Sequence, residues 1–262
     1  IPYKYFKGLS IICLPIVTLL LFFTAIQGNV IEGANANRWI KLPVVGLSFQ
    51  PSSMAIVILM VYISFYLSKN YNKEISFSQS ILPLWMPILI IIFLILPSNF
   101  STAAMIFMMI LTLIFIGRYP LKYLLGIVFS GIFFLSMFVL VAKNYPDLMP
   151  NRIDTWTNRI DNFIGKGSSE SNYQIIRAKS AIATGSVFGV GAGKSAMKNL
   201  LPQSTSDFIY AIITEEYGTV GAISILLLYT LLLFRIIIVS YKSQTIFGQL
   251  LALGVGLPII FQ

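Results

Sequence analysis

The chain has 262 residues and a net charge of +9; 57% of its residues are hydrophobic and only 10% are charged. Because a soluble domain carries about 25% charged residues, this composition excludes a soluble globule and indicates an all-α, polytopic helical membrane protein. The absence of histidine excludes histidine-based catalysis, and the single Cys13 excludes an internal disulfide. The basic excess is typical of helix ends that meet anionic headgroups, so no nucleic-acid partner is expected.

Seven apolar segments are long enough, or nearly so, to cross about 30 Å of hydrocarbon as helices. The sixth is the longest, and Gly218 after two glutamates predicts a break inside it. The sequence begins without Met and stops within an apolar segment, so we expect a single transmembrane domain, 1–262, that is a fragment truncated at both ends. The predicted spans are 9–27, 52–68, 81–97, 101–117, 121–142, 208–240 and 243–262.

Every second short connection between these segments is basic. The positive-inside rule therefore places these connections in the cytoplasm. The long segment 143–207 is then extracytoplasmic, since long loops translocate largely regardless of their charge. No internal repeat is visible, so the inverted repeats of many secondary transporters are not expected. The basic connections are 1–8, 69–80, 118–123 and 235–242.

Polar residues precede two spans on the predicted outer face. In "FQPSS", Pro51 and Ser52 suit the first turn of a helix; in "LPSNFSTA", an Asn, Ser or Thr side chain can cap the next. Each start is either an ordinary cap or an anion-binding helix end, because free N–H groups there attract anions. Arg38 and Trp39, where the first outer loop returns to the membrane, are similarly either an interfacial anchor or part of a site.

The first part of the long outer segment contains the echo "NRIDTW" and "NRIDNF", spaced by seven residues. This spacing puts Arg152 and Arg159 on one helical face, and likewise Asp154 and Asp161. The pattern favours an amphipathic helix lying at the membrane surface. A solvated helix whose charged face pairs with itself is the alternative.

A short helix and a glycine-rich loop follow in "YQIIRAKSAIATGSVFGVGAGKSAMKN" (173–199). Its glycines allow the backbone to approach a ligand closely, and Lys194 and Lys198 add positive charge. The stretch "GVGAGKS" is not a nucleotide-binding P-loop, because that motif needs glycine where this chain has Phe188. A basic, glycine-rich loop at a membrane surface suits a lipid phosphate.

Three carboxylates lie at the mouth of the sixth span, in "LLPQSTSDFIYAIITEEYG" (200–218). Asp207 is placed in the first turn of the helix, where the helix dipole stabilises an anion; a plain N-terminal acid is therefore the alternative to a catalytic one. Glu215 and Glu216 lie about 12 Å further along the helix. At that depth an acid must face the bundle interior, a cavity or a partner, so both are expected to support the structure through hydrogen bonds.

These stretches together resemble the SEDS family (shape, elongation, division and sporulation). The matching pieces are "GANANRWI…FQPSS", "LPSNFSTA", "YQIIRAKSAIATGSVFGVGAGKS" and "NLLPQSTSDFIYAIITEEYGTVG", in the family's order. The similarity is greater to the FtsW branch, in the version found in Bacteroidota, than to the RodA branch. It implies ten transmembrane helices, of which this chain would hold the third to the ninth.

The resemblance also implies an activity and partners. The family's enzymes are peptidoglycan glycosyltransferases that polymerise lipid II into glycan strands with a class B penicillin-binding protein, alongside other membrane proteins of cell division. The location implied is the bacterial inner membrane, at the division septum. A divalent cation, Mg or Mn, can assist by the same resemblance.

The family's catalytic acid falls on Asp207, which would take the proton from the acceptor hydroxyl. The chain departs from the family pattern in having Ser53, Ile56 and Asn99 where the family has Glu, Lys and Asp. The supporting residues expected are Glu215, Glu216 and Gly218. The candidate substrate-binding residues are Arg38, Trp39, Gln50, Ser52, Asn99, Thr102, Gln174, Gly191, Gly193, Lys194, Lys198 and Thr205.

Other functions fit parts of the same pattern. A flippase for the lipid-linked precursor would need a charged cavity open in turn to each side of the membrane. A non-catalytic division scaffold would account for the missing Glu and Lys at Ser53 and Ile56. Another lipid-linked sugar polymerase or ligase would also place large outer loops over a helical bundle.

Overall fold

The structure is a computed structural model, and it describes residues 2–27, 39–41, 48–73, 75–144, 169–200 and 207–261. The described part is almost entirely helical, which confirms the all-α prediction. Every predicted span is matched by a helix whose ends lie within about four residues of the expected ones, and adjoining helices form the third. The helices are α1 Phe6–Gln27, α2 Pro51–Lys69, α3 Phe77–Ser80, α4 Met86–Ile95, α5 Phe100–Ile116, α6 Leu121–Asn144, α7 Ser169–Gly185, α8 Ile209–Lys242 and α9 Ile246–Phe261.

Among the described residues, four helical stretches are long and apolar enough to cross a membrane: Tyr3–Ile26, Pro51–Lys69, Phe77–Ile95 and Ile209–Lys242. The described residues also contain shorter apolar helical stretches: Phe100–Ile116, Ile246–Phe261 and, within α6, Leu121–Phe134. Most of the large side chains on α8 are exposed in the isolated chain, as expected where lipid or other transmembrane helices complete the packing.

The chain divides into two compact units. Unit 1 comprises Ile1–Phe129 and Leu233–Gln262, and unit 2 comprises Ser130–Leu232. The core of unit 1 consists of fully buried aliphatic side chains on α2, α4 and α5, such as Leu59, Ile88 and Ile110.

Helix α9 packs closely against α2 because two small residues meet there. A Cβ atom on Gly254 would lie 2.8 Å from Ser64 Oγ and 3.3 Å from the Met60 carbonyl oxygen. The hydroxyl of Ser64, fully buried, lies 3.0 Å from the carbonyl oxygen of Leu250 and 2.8 Å from that of Met60. Close packing of small residues and hydrogen bonds from hydroxyl groups to the neighbouring helix are contacts that hold membrane helices together.

The third span is not a regular α-helix. Ile81–Trp85 forms a π-helical turn between α3 and α4. The cause is Pro83 and Pro87: a proline has no N–H, so the carbonyl of Pro83 lacks its usual donor four residues on. The Tyr62 hydroxyl of α2 donates to that carbonyl instead and ties the irregular segment to its neighbour.

The predicted basic connections of unit 1 lie at one end of that unit. Lys7 lies 5.0 Å from the ring centre of Phe247, at the start of α9. Phe247 in turn contacts Phe65, near the end of α2, and Arg118 lies 5.1 Å from the ring centre of Tyr71. These contacts group the basic connections as the charge pattern predicts.

A short antiparallel strand pair joins the residues on either side of 42–47. Ile40 pairs with Phe49 and Lys41 with Ser48, just before α2 begins at Pro51. Arg38, Thr205 and the predicted surface helix around 151–163 lie outside the described residues.

Candidate functional site

Helix α8 breaks at Gly218, as the sequence predicts. Gly218 has φ 69° and ψ −169°, a conformation that only glycine adopts readily. In a straight helix the amides of Thr219 and Val220 would bond to the carbonyls of Glu215 and Glu216. The break separates these groups and leaves two donors and two acceptors to be satisfied.

The glycine-rich loop satisfies all four groups. The amides of residues 219 and 220 donate to the loop carbonyls of residues 186 and 187, while the carbonyls of residues 215 and 216 accept from the loop amides of residues 190 and 191. The loop therefore replaces the helical hydrogen bonds that the break removes. The distances are 2.9 Å for Thr219 N to Ser186 O, 3.3 Å for Val220 N to Val187 O, 2.9 Å for Val190 N to Glu215 O and 3.0 Å for Gly191 N to Glu216 O.

Glycine is required at three positions of this junction. Cβ atoms on Gly185, Gly189 and Gly218 would lie 2.0, 2.2 and 2.2 Å from backbone oxygens of the facing segment. From the sequence, the loop glycines were expected to let the backbone approach a ligand closely. At Gly185 and Gly189 the loop instead approaches the backbone of α8. At Gly193 a Cβ atom would meet nothing within 4 Å, so this glycine borders open space.

Glu215 fastens the far end of the loop. Its side chain is 1% exposed. Its carboxylate accepts hydrogen bonds from the Ser195 hydroxyl, from the Ala196 amide at 3.2 Å and from the Met197 amide at 3.4 Å. The Lys198 amide donates to the Ser195 hydroxyl at 3.1 Å. The carboxylate thus caps the short 3-10 helix Met197–Asn199, and its buried charge is stabilised by several donors.

Two lysines, Lys194 and Lys198, lie on either side of Ser195 in the sequence. The exposed side chains of Lys194 and Lys198 project from a loop whose backbone is held on both sides. Sequence reasoning did not select Ser195, although serine just before a short helical turn is a usual capping signal.

Asp207 lies in the turn immediately before α8 begins at Ile209, and its side chain is exposed. Asp207 thus precedes the short helical segment before the break, and Glu215 lies near the other end of that segment. The loop that bears the two lysines is fixed to the second end. The described part of unit 2 thus presents an exposed carboxylate and two cations on connected, braced segments.

Unit 1 brings together a second set of predicted residues. Gln50, Ser52 and Asn99 line one cavity of about 20 Å³, which holds about one water. Thr24, which is buried, also lines this cavity but was not predicted from the sequence. The only indication in the sequence is that it is a polar residue near the end of an apolar span. Asn99 caps α5 by accepting from the Thr102 amide at 3.2 Å, as the capping pattern predicts.

The remaining predicted residues lie apart from these sets. Trp39 is half-buried beside the short strand pair, and Gln174 is half-buried on α7. Ser53 is exposed and Ile56 is buried, at the positions where the resembled family has charged residues.

The described residues do not fit a protein-bound divalent cation. Such ions need several oxygen ligands in one place. Within the described ranges no group of three histidine, cysteine, aspartate or glutamate side chains could hold a metal ion. The carboxylate of Glu215 is already occupied by the Ser195 hydroxyl and two amides.

Known structures share this fold. A chain of a complex described as "Structural coordination of polymerization and crosslinking by a peptidoglycan synthase complex" superposes with a TM-score of 0.69 at 21% identity. The match covers 97% of this chain and 68% of that one. The crystal structure of the Thermus thermophilus rod shape determining protein RodA gives a TM-score of 0.60 at 19% identity, over 97% of this chain and 64% of RodA.

Sequence relatives cover nearly the whole chain. A protein of Aliivibrio salmonicida named "Probable peptidoglycan glycosyltransferase FtsW" is 29% identical over 264 residues, 99% of this chain and 62% of the relative. One of the same name from Hydrogenovibrio crunogenus is 30% identical over 264 residues, 99% of this chain and 64% of the relative. The chain thus spans less than two thirds of these relatives. The model of the cell cycle protein family of FtsW, RodA and SpoVE matches residues 1–262, and the chain belongs to that family.

Proposed function

We propose that this chain is part of a peptidoglycan glycosyltransferase that polymerises lipid II into glycan strands during cell division. The observation that carries the proposal is the exposed carboxylate of Asp207, just before the short helical segment that ends at the Gly218 break and is fastened there to a basic loop. The names of the FtsW relatives support the same activity.

Asp207 acts as the general base in this proposal. It accepts the proton from the acceptor sugar's hydroxyl as that oxygen attacks the anomeric carbon of the donor. The bond from the donor sugar to the lipid pyrophosphate breaks, and the pyrophosphate leaves with the electron pair. Lys194 and Lys198 offset the negative charge that develops on the leaving group.

The bracing of the loop gives this mechanism its geometric basis. An ammonium group stabilises a leaving phosphate only when its position is already set, because reorganisation would cost free energy during the reaction. The backbone exchange at Gly218 and the Glu215 carboxylate limit the movement of the loop that carries Lys194 and Lys198.

The partner and the location belong to the proposal. A class B penicillin-binding protein would crosslink the strands that this protein polymerises, and other division proteins would assemble with the pair. The structurally similar synthase complex is described as coordinating polymerisation with crosslinking, which supports such a partner here. The integral membrane protein would lie in the inner membrane at the septum, with 143–207 outside.

The test is Asp207→Asn in the full-length protein, purified with its penicillin-binding partner and supplied with lipid II. Loss of a general base predicts glycan synthesis at least about 100-fold slower. Because Asp207 is exposed, the thermal unfolding midpoint and the partner's co-purification are expected to stay unchanged. Glycan chains formed at the wild-type rate would refute the assigned role.

A non-catalytic division scaffold is the second candidate. It is favoured by Ser53 and Ile56 standing where the family has charged residues. It predicts that cells carrying Asp207→Asn divide normally while deletion of the gene is lethal. The enzyme proposal predicts that both changes block division.

A further inference from the structure

Unit 1 contains a cleft that the proposed activity does not use. Its volume is about 410 Å³. It lies along the carboxyl-terminal half of α2, from Tyr62 onward, whereas the cavity of Gln50, Ser52 and Asn99 lies at the amino end; Tyr62 and Ser52 are about 15 Å apart along the helix. The lining residues are Ile11, Tyr62, Phe65, Tyr66, Lys69, Asn70, Lys73, Ile75, Gln79 and Pro83.

The rim of this cleft is positively charged. Lys69 and Lys73 line it, and none of the described residues that line it is acidic. Both lysines are exposed, and within the described ranges neither has an ion-pair partner. Two ammonium groups with the Gln79 amide beside them form a donor set that suits the oxygens of a phosphate group.

The inner wall of the cleft is apolar. Tyr62, Phe65 and Ile11 lie below the lysines, and Tyr62 is seven residues before Lys69, about 10 Å deeper along the helix. A free phosphate ion would leave this wall unused. A phospholipid would place its phosphate at the rim and its acyl chains along the wall.

The walls are held by contacts of their own. The Tyr62 hydroxyl donates to the Pro83 carbonyl, and the Asn70 amide donates to the Tyr66 carbonyl at 3.0 Å. Pro83 belongs to the π-helical turn, a distortion that is frequent at functional sites. The cleft is thus formed by braced side chains between α1, α2 and the irregular span.

We propose that this cleft binds an anionic phospholipid, with the phosphate between Lys69 and Lys73 and the acyl chains against Tyr62, Phe65 and Ile11. Basic pockets between transmembrane helices are suited to anionic headgroups, and lipids with a net negative charge are preferred over zwitterionic ones. The residues that line the cleft include none of the proposed catalytic residues.

The experiment measures lipid binding to the full-length protein by native mass spectrometry. Phosphatidylglycerol and phosphatidylcholine are titrated against wild-type protein and against the double variant Lys69→Gln/Lys73→Gln. The expected result is selective binding of phosphatidylglycerol, weakened about fivefold for each lysine removed. The conservative variant Lys69→Arg/Lys73→Arg is expected to keep the binding.

The matched control is Lys4→Gln/Lys242→Gln, which removes the same charge from lysines that do not line the cleft. Its phosphatidylglycerol binding is expected to equal that of the wild type. Excess inorganic phosphate is expected not to compete, since it lacks acyl chains. Equal binding of both lipids, equal loss in the control variant, or displacement by inorganic phosphate would each overturn the proposal. Binding of phosphatidylglycerol to the full-length protein that does not depend on Lys69 and Lys73 would also overturn the proposal. This result is expected if a segment outside residues 1–262 fills the cleft.

Discussion

At the scale of single residues, the two neighbouring glutamates of α8 have different surroundings. The Glu215 carboxylate is buried and accepts from the Ser195 hydroxyl and two loop amides. The Glu216 side chain is half-buried, and within the described ranges it forms no hydrogen bond. A buried acceptor that faces several donors cannot be replaced by a donor without leaving those groups unsatisfied.

Glu215→Gln is therefore expected to destabilise the protein, by about 1–3 kcal/mol, because the new amide group turns one acceptor into a donor that faces N–H groups. Thermal unfolding of the purified full-length protein, with limited proteolysis of the loop around 186–199, measures the effect. Glu216→Gln is the matched control, for which the unfolding midpoint is expected to stay close to the wild-type value. Equal destabilisation by both substitutions would contradict the assignment.

At the scale of elements, the junction between α8 and the glycine-rich loop depends on backbone atoms. Four loop groups take over hydrogen bonds that a straight helix would make internally. The junction therefore requires glycine where the two backbones touch, and in particular at Gly218, where both the positive φ and the contact with the Val187 carbonyl exclude a side chain.

Gly218→Ala is expected to open this junction, because the Cβ atom would lie 2.2 Å from the Val187 oxygen in a backbone conformation that alanine resists. Hydrogen exchange measured by mass spectrometry should show faster exchange at the amides of Val190, Gly191 and Thr219. The control is Gly131→Ala on α6, where a Cβ atom meets nothing within 4 Å. Unchanged exchange in Gly218→Ala would show that the junction does not hold the loop.

The positions of the helices along the chain could largely be predicted from the sequence, whereas the hydrogen bonds between the elements could not. Hydrophobic length alone located the seven spans, and the Gly218 break and the Asn99 cap followed from local chemistry. The exchange of hydrogen bonds between 186–191 and 215–220 could not be predicted, because it joins segments about 30 residues apart. The tie from Tyr62 to Pro83 was missed for the same reason: prolines predict an unpaired carbonyl but not the side chain that satisfies it.

At the scale of the whole molecule, unit 1 depends on close helix contacts through small residues. Gly254→Val on α9 would push a side chain into Ser64 and the Met60 carbonyl of α2, so we expect a lower yield of folded protein and a lower unfolding midpoint. Gly126→Val on α6 is the control, since a Cβ atom there meets nothing within 4 Å. Equal loss in both variants would indicate a general cost of valine in a membrane helix.

The orientation in the membrane is a separate prediction for the whole molecule. In a full-length protein made free of native cysteine, by Cys13→Ser together with removal of any outside these residues, we expect an impermeant maleimide to label Leu200→Cys in intact spheroplasts but not Asn72→Cys. Both side chains are exposed, so access depends on the side of the membrane. After permeabilisation both should react, which controls for intrinsic reactivity. Labelling of Asn72→Cys alone would reverse the orientation inferred from the basic connections.

Because segment 186–191 bonds to α8 through its own backbone atoms, the side chains along that segment are free to diversify. Phe188 is 83% exposed and contributes no side-chain bond to the junction within the described ranges. Mutational libraries at such positions can therefore change what the loop contacts without changing where the loop lies. The backbone bonds of the junction fix the position of the loop, and its exposed side chains determine what it contacts. Directed evolution can therefore change the side chains of the loop while its position stays the same.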